Sequence, residues 1–153
     1  MEATGVRIAF LGFGNVGSAL ARLLLDKRQA LRDGYGIDWR VTGIGTQRHG
    51  SAIDERGLDL EAALVPGAHL DSLSQQRVPR ESTGVVRACP ADVLFETIPV
   101  KYDTGQPAVD CLRAALEAGM HAITANKGPV VHAYRSLTSL AAEHGRRFLF
   151  ESA

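Results

Sequence analysis

The chain has 153 residues, of which 45% are hydrophobic and 22% are charged. This length and composition predict one globular domain with enough interior to bury a core. The 17 basic and 17 acidic residues cancel, so no excess of positive charge indicates a nucleic-acid partner. The apolar stretches are too short to span a bilayer and residues 1–5 do not resemble a secretory signal, so we expect a cytoplasmic protein without a membrane partner.

The first predicted element is a strand that leads into a glycine-rich turn. Residues 6–11 read VRIAFL, a nearly continuous apolar run that is typical of a parallel strand covered on both faces. Gly12, Gly14 and Gly17 follow in the spacing G-x-G-x-x-G. In this motif the first glycine makes a tight turn, the second leaves room for a pyrophosphate, and the third lets the next helix pack closely. The stretch predicts a dinucleotide site, and an ordinary turn between core elements is the alternative.

The next elements bear on the choice of cofactor. Apolar residues at helical spacing predict a helix over residues 16–31, and residues 37–44 (IDWRVTGI) predict the second strand. In dinucleotide-binding folds the end of this strand meets the adenosine ribose, where a carboxylate favours NAD. The chain has Thr46 and Arg48 there and no carboxylate. The planar guanidinium of an arginine can donate two parallel hydrogen bonds to a phosphate. We therefore expect NADP, with NAD possible; a solvent-exposed loop arginine is the alternative.

No residue in the segment 51–88 suggests a catalytic or binding role. We interpret this segment as a connection between the second strand and the next core strand, with one short helix near residues 58–64. After this segment strands are predicted at 92–97, 121–124 and 147–150, with helices near 106–119 and 131–144. Alternation of this kind predicts a Rossmann-type doubly wound parallel sheet with helices on both faces, in a single α/β domain. Ligands bind beyond the carboxyl ends of such strands. The glycine turn, the loop after Thr97 and the loop with Asn126 and Lys127 should therefore converge.

The cysteines and histidines predict neither a disulfide nor a metal site. Cys89 and Cys111 are far apart in the sequence and belong to no C-x-x-C motif, so we expect reduced, structural thiols. The five histidines show no spacing that is typical of metal ligands. We therefore predict no metal.

The second half of the chain resembles the nucleotide-binding half of homoserine dehydrogenases. Residues 92–130 read DVLFETIPVKYDTGQPAVDCLRAALEAGMHAITANKGPV. They match the family's acidic strand end, its T-P type loop, its T-G-x-P helix entry, its R-A-A-L-E-A-G helix and its T-A-N-K-G-P loop. The turn GFGNVG agrees as well, and the resemblance covers essentially the whole chain.

This resemblance implies an activity and a domain arrangement. The family reduces aspartate semialdehyde to homoserine with NAD(P)H, a step toward threonine, methionine and isoleucine. Residues 1–153 would be its NAD(P)-binding domain, with a C-terminal substrate domain outside this chain. The isolated chain should then bind nucleotide without turnover, and the full-length protein should be a homodimer. The alternatives are another dehydrogenase of this fold, such as an aspartate dehydrogenase, or a non-catalytic NAD(P)-binding module.

The resemblance also implies roles for individual residues. Phe13, Asn15 and Val16 would line the pyrophosphate between the glycines, and Thr97 with Pro99 would lie near the nicotinamide ribose. Around Pro99 this chain has Ile98 and Val100, where relatives often carry hydroxyl residues in a T-P-T sequence.

Lys127 would stand at the reacting centre by the same resemblance. Hydride delivery to an aldehyde builds negative charge on its oxygen, which a positioned ammonium can stabilise or protonate. A contact with a cofactor phosphate and simple surface exposure are the alternative roles of Lys127. Asn126 would shape the loop that carries this lysine.

Overall fold

The computed structural model describes residues 2–151. Its strands are β1 (Thr4–Leu11), β2 (Ile37–Gly45), β3 (Ser51–Ile53), β4 (Val93–Glu96), β5 (His121–Thr124) and β6 (Phe148–Phe150). Its helices are α1 (Asn15–Asp26), α2 (Arg28–Tyr35), α3 (Leu60–Ala63), α4 (Ser82–Ala88), α5 (Ala108–Glu117) and α6 (Lys127–Glu143), with a 3₁₀ turn at Leu70–Leu73. No helix in this described part of the chain has the length and apolar character needed to cross a membrane.

The strands form one six-stranded sheet in the order β3-β2-β1-β4-β5-β6. Every neighbouring pair is parallel except β2 and β3, which are antiparallel. The doubly wound sheet expected from the sequence is confirmed. The antiparallel edge strand β3 and the helix α4 lie in the segment for which the sequence predicted only a short helix near α3.

The residues of β1 explain why helices cover both faces of the sheet. Ala9 and Leu11 belong to a core that includes the buried face of α5, whereas Ile8 and Phe10 belong to a second core with Ala21 of α1. Successive side chains of a strand point to opposite faces. An apolar residue at every position therefore requires a helical layer on each side.

The first helical segment is divided at Lys27, whose φ of −96° and ψ of 3° separate α1 from α2. The prediction of one helix over residues 16–31 is therefore wrong. The guanidinium of Arg28 lies 3.8 Å from the centroid of the Trp39 ring and donates to the Trp39 carbonyl at 3.2 Å. These contacts join the start of α2 to β2.

Strand β2 carries one more residue than the facing part of β1. Ile8 pairs with Val41 and Ala9 pairs with Gly43, so Thr42 lies between them as a β-bulge. The Thr42 hydroxyl donates to the Pro90 carbonyl at 2.9 Å. This bond ties the bulge to the segment that enters β4.

Both cysteines are free thiols in the interior. Burial raises the pKa of Cys89 to about 11 and that of Cys111 to about 12. Since the thiolate is the reactive form, these side chains act as packing groups.

Candidate active site

The glycine turn brings the end of β1 into close contact with the loop after β4. Gly12 has a φ of +90°, and a Cβ at this position would lie 2.8 Å from the carbonyl carbon of Thr97. A Cβ at Gly17 would lie 2.6 Å from the Gly12 oxygen. The turn and the first turn of α1 are therefore packed too closely for side chains at either position.

Gly14 differs from its neighbours because its missing Cβ points into open space, with nothing within 4 Å. Helix α1 begins at the next residue, Asn15, and Gly14 makes no side-chain capping bond at this end. Backbone N–H groups at a helix start carry partial positive charge and attract anions. This combination of bare backbone and helix terminus suits a diphosphate.

A cleft of about 460 Å³ lies over this turn at the carboxyl edge of the sheet. Its size falls in the range that is usual for small-molecule sites. Three parts of the chain line it: residues 11–16, residues 45–49 and residues 97–99, together with Ser82 at the start of α4. The convergence of the glycine turn with the loop after Thr97 agrees with the expectation from the sequence.

The turn after β2, residues 46–50, is held by hydrogen bonds of Thr46 and by a bond from the Leu70 amide to the His49 carbonyl at 2.9 Å. The Thr46 hydroxyl donates to the Gly50 carbonyl at 2.7 Å and accepts from the His49 amide at 2.9 Å. Its proton is therefore committed within the turn. Arg48 is exposed and lines the cleft, so the guanidinium and not the Thr46 hydroxyl is the donor that a ribose phosphate could meet.

The loop after β4 places Thr97 against the glycine turn. Its hydroxyl donates to the Gly12 carbonyl at 3.1 Å, and its amide donates to the Leu11 carbonyl at 2.8 Å. Pro99 is exposed at the cleft, whereas Ile98 is buried at 9% exposure. Thr97 therefore joins two of the cleft's walls.

Asn126 and Lys127 form the start of α6. The Asn126 side chain caps this helix by accepting from the Gly128 amide at 3.0 Å, and its Nδ2 donates to the Ile98 carbonyl at 3.3 Å. The sequence predicted that the helix starts near residue 131, but the cap moves its start to Lys127. The exposed lysine side chain therefore projects from the first turn of a helix.

A second cavity of about 210 Å³ adjoins the cleft and includes Lys127 in its wall. It shares Val16, Thr97 and Ile98 with the cleft. The remaining lining residues are Val100, Tyr102, Ala125 and Asn126. Lys127 is thus separated from the glycine turn by residues common to both spaces.

Sequence reasoning missed several residues of these walls. Ser82 and His49 line the cleft, and Tyr102 lines the second cavity. Ser82 is the first residue of α4, after a non-helical Glu81 that makes no side-chain capping bond, and serine near a helix start is a recognisable signal. Tyr102 had no such signal, because its loop position is set by a contact of 2.6 Å between its carbonyl and Nε2 of His132.

The chain is similar in sequence to a known protein family. Residues 12–151 match the family described as "Homoserine dehydrogenase, NAD binding domain". The chain belongs to this family. A homoserine dehydrogenase from Methanocaldococcus jannaschii is 33% identical over 95% of this chain and 44% of its own length. An NAD(+)-dependent homoserine dehydrogenase from Pseudomonas canavaninivorans is 29% identical over 98% of this chain and 44% of its own length.

The structural comparison gives the same family. A hyperthermophilic archaeal homoserine dehydrogenase in complex with NADPH superimposes with a TM-score of 0.77 at 25% identity. The match covers 97% of this chain and 44% of that protein. The chain therefore spans less than half the length of the relatives it matches.

The residues present fit a dinucleotide. The open space at Gly14 leaves the backbone accessible to a charged group. The exposed Arg48 and Lys127 provide positive charge along the cleft and the adjoining cavity. Within residues 2–151 no cluster of three or more His, Cys, Asp or Glu is arranged to hold a metal ion.

Proposed function

We propose that the chain is the NAD(P)-binding half of a homoserine dehydrogenase, which interconverts L-aspartate 4-semialdehyde and L-homoserine. The observation that carries the proposal is that the glycine turn and Lys127 line adjoining spaces with shared walls. This arrangement gives a dinucleotide one end on the glycine turn and the other near an ammonium. Membership of the family supports the same conclusion.

Each wall of the cleft has a role in holding the cofactor. The backbone around Gly14 binds the diphosphate, with Gly12, Phe13, Asn15, Val16 and Gly17 forming the rest of the cradle. Arg48 binds the adenosine ribose phosphate of NADP, and Thr46 holds the turn that presents it. Thr97 and Pro99 lie beside the nicotinamide ribose. NADP is the preferred cofactor in this proposal and NAD is the alternative.

Lys127 is the catalytic residue of the proposal. Reduced nicotinamide, when bound, supplies a hydride to the aldehyde carbon. The Lys127 ammonium faces the aldehyde oxygen, stabilises the charge that develops there and donates a proton to it. Asn126 fixes the backbone on one side of Lys127 through the α6 cap.

The substrate-binding part of the reaction is assigned to a domain outside these 153 residues. The relatives are more than twice as long as the matched region, which supports this division. We expect the full-length protein to act in the cytoplasm as a homodimer. The 153-residue chain should bind NADPH but should not oxidise homoserine.

Titration of the chain with NADPH, NADH and ADP tests this proposal. The wild-type chain should bind NADPH more tightly than ADP, because only the dinucleotide reaches the second cavity. Lys127→Ala should weaken the binding of NADPH and leave the binding of ADP unchanged. Lys101→Ala is the matched control, since Lys101 is an exposed lysine that itself lines neither space, although its neighbours Val100 and Tyr102 line the second cavity.

Two results would contradict the proposal. Equal affinity for ADP and NADPH, unchanged by Lys127→Ala, would instead indicate a non-catalytic nucleotide-binding module. Homoserine oxidation by the purified 153-residue chain would show that no further substrate domain is needed.

A further inference from the structure

Glu96 is a buried carboxylate beneath the candidate active site. It is the last residue of β4 and its exposed fraction is 0%. None of the ion pairs formed within residues 2–151 involves it. Burial of a charged group without a cationic partner is unfavourable. Its presence at the end of a core strand therefore needs an explanation.

The two carboxylate oxygens of Glu96 bind groups from different loops. Oε1 accepts from the Ile98 amide at 2.8 Å, and Oε2 accepts from the Thr124 hydroxyl. Ile98 belongs to the loop after β4, whereas Thr124 is the last residue of β5. Glu96 thus joins the two strand ends that flank the second cavity.

The connection continues from Thr124 to Lys127. The Thr124 hydroxyl oxygen accepts from the Asn126 amide at 2.9 Å, and the Asn126 side chain then caps α6 at Gly128. Nδ2 of Asn126 returns to the Ile98 carbonyl at 3.3 Å. The residues on both sides of Lys127 are therefore fixed by one buried set of bonds that includes Glu96.

The charge state of Glu96 reflects a balance of opposing effects. Burial raises its pKa, while hydrogen bonds from Thr124, the Ile98 amide and Asn126 act in the other direction. A carboxylate accepts at both oxygens, whereas a protonated carboxyl carries one O–H that donates. A neutral amide in its place would present a donor to Thr124, whose hydroxyl already donates to Glu96.

We propose that Glu96 is a positioning residue that sets the Lys127 backbone relative to the Thr97–Pro99 loop. It does not touch the cofactor, and it acts through Thr124 and Asn126. This inference rests on the function proposed above, because the set-up matters only if Lys127 meets the reactive end of a dinucleotide. The adenosine end of the cleft lies outside this set of bonds.

Variants of Glu96 and Thr124 test the proposal through the ratio of two affinities. The ligands are NADPH, which spans both spaces, and 2′,5′-ADP, which represents its adenosine half. Glu96→Gln and Thr124→Val should lower the NADPH affinity about three- to tenfold, the effect of one lost hydrogen bond. Their affinity for 2′,5′-ADP should stay at the wild-type level. Thr124→Ser keeps the hydroxyl and should keep the wild-type ratio.

The outcomes separate this inference from the proposed function. A wild-type chain that binds NADPH no better than 2′,5′-ADP would overturn the function, and this inference with it. A wild-type preference for NADPH that survives in Glu96→Gln and Thr124→Val would overturn only the positioning role. An equal loss of affinity for NADPH and 2′,5′-ADP in these variants would indicate a damaged fold and would also overturn the positioning role.

Discussion

The two ends of the candidate cofactor site, one at the second cavity and one at the cleft, are built in different ways. At the end formed by Glu96, Thr124 and Asn126, the side chains are at most 5% exposed and bond between strands. At the end formed by residues 46–50, the bonds of Thr46 stay within the turn or reach the neighbouring Ser51. The first end is thus fixed by buried side-chain bonds between strand ends, and the second mainly by bonds within the turn, with one backbone bond from the Leu70 amide to the His49 carbonyl at 2.9 Å. If the proposed site is correct, we expect substitutions in the turn to alter cofactor choice with little effect on the fold, and substitutions at the other end to affect both cofactor binding and the fold.

Gly12 is the point at which this contrast should break down. Its amide donates to the Gly45 carbonyl at 2.8 Å, just before the turn of residues 46–50, and its carbonyl accepts from Thr97, which follows Glu96. Gly12 thus links the segments next to both ends. Gly12→Ala adds a clash with the Thr97 backbone at a positive φ. We expect a loss of about 2 to 5 kcal/mol in the free energy of unfolding. Urea unfolding followed by circular dichroism measures this change.

Gly14→Ala is the matched control for Gly12→Ala. Its Cβ enters open space and its φ is −81°, so the free energy of unfolding should stay within about 0.5 kcal/mol of wild type. The methyl group would occupy the diphosphate position, and NADPH binding should fall. Equal destabilisation by the two substitutions would contradict the account of the turn.

Glu96 at the end of β4 and Asp92 just before β4 should contribute to the free energy of unfolding with opposite dependence on pH. Glu96 has a raised pKa because of burial. Its contribution to stability is therefore full below the ordinary glutamate pKa and is lost as the pH rises through the raised value. Hydrogen bonding from Arg7 lowers the pKa of Asp92. The Asp92 contribution is present above the ordinary aspartate pKa and is lost as the pH falls through the lowered value.

Urea unfolding of wild type, Glu96→Gln and Asp92→Asn between about pH 3 and pH 8 tests these signs. The stability advantage of wild type over Glu96→Gln should shrink as the pH rises, and its advantage over Asp92→Asn should grow. The Asp92–Arg7 pair is partly exposed, so Asp92→Asn should cost only about 1 kcal/mol near neutral pH. Differences of the same sign would show that burial does not dominate at Glu96.

Arg48→Ala should have the smallest effect on the fold. Arg48 is exposed on the local turn, so the free energy of unfolding should change by less than about 0.5 kcal/mol. If its guanidinium binds the ribose phosphate, NADPH binding should weaken by about 1 to 3 kcal/mol while NADH binding stays nearly unchanged. Calorimetric titration measures the affinities for NADPH and NADH. Arg135→Ala is the control, because Arg135 is an exposed arginine on α6. Equal loss for NADPH and NADH would refute the assignment.

Much of the fold could be predicted because its signals are local. The apolar run of β1, the strands on either side of α5 and the glycine motif all have patterns within a few residues. Strand β3 could not be predicted, since three residues give no periodicity and its pairing with β2 is set by tertiary contact. The break at Lys27 is followed by contacts of Arg28 with Trp39, which is eleven residues further along the chain and has no local signal.

The candidate site shows the same division. The positions of Gly12, Asn126 and Lys127 at the ends of strands followed from the alternation of elements. The use of the Thr46 hydroxyl within its own turn did not, because it depends on the conformation at Gly50. The sequence marked Glu96 only as part of a family motif, and its bonds to Ile98 and Thr124 required the structure.

The bulge at Thr42 determines the face of the sheet to which each of the last residues of β2 points. Val41 and Ile44 enter the same core although three positions separate them, which an uninterrupted strand would not allow. The inserted residue reverses the phase of the strand, so that Gly43 and Gly45 turn toward Cys89 and Val85. If the chain passed through Thr42 without a bulge, regular alternation would point Ile44 toward Cys89 and Val85, where only the two glycines now fit, and would remove Ile44 from the core of Ile8 and Phe10.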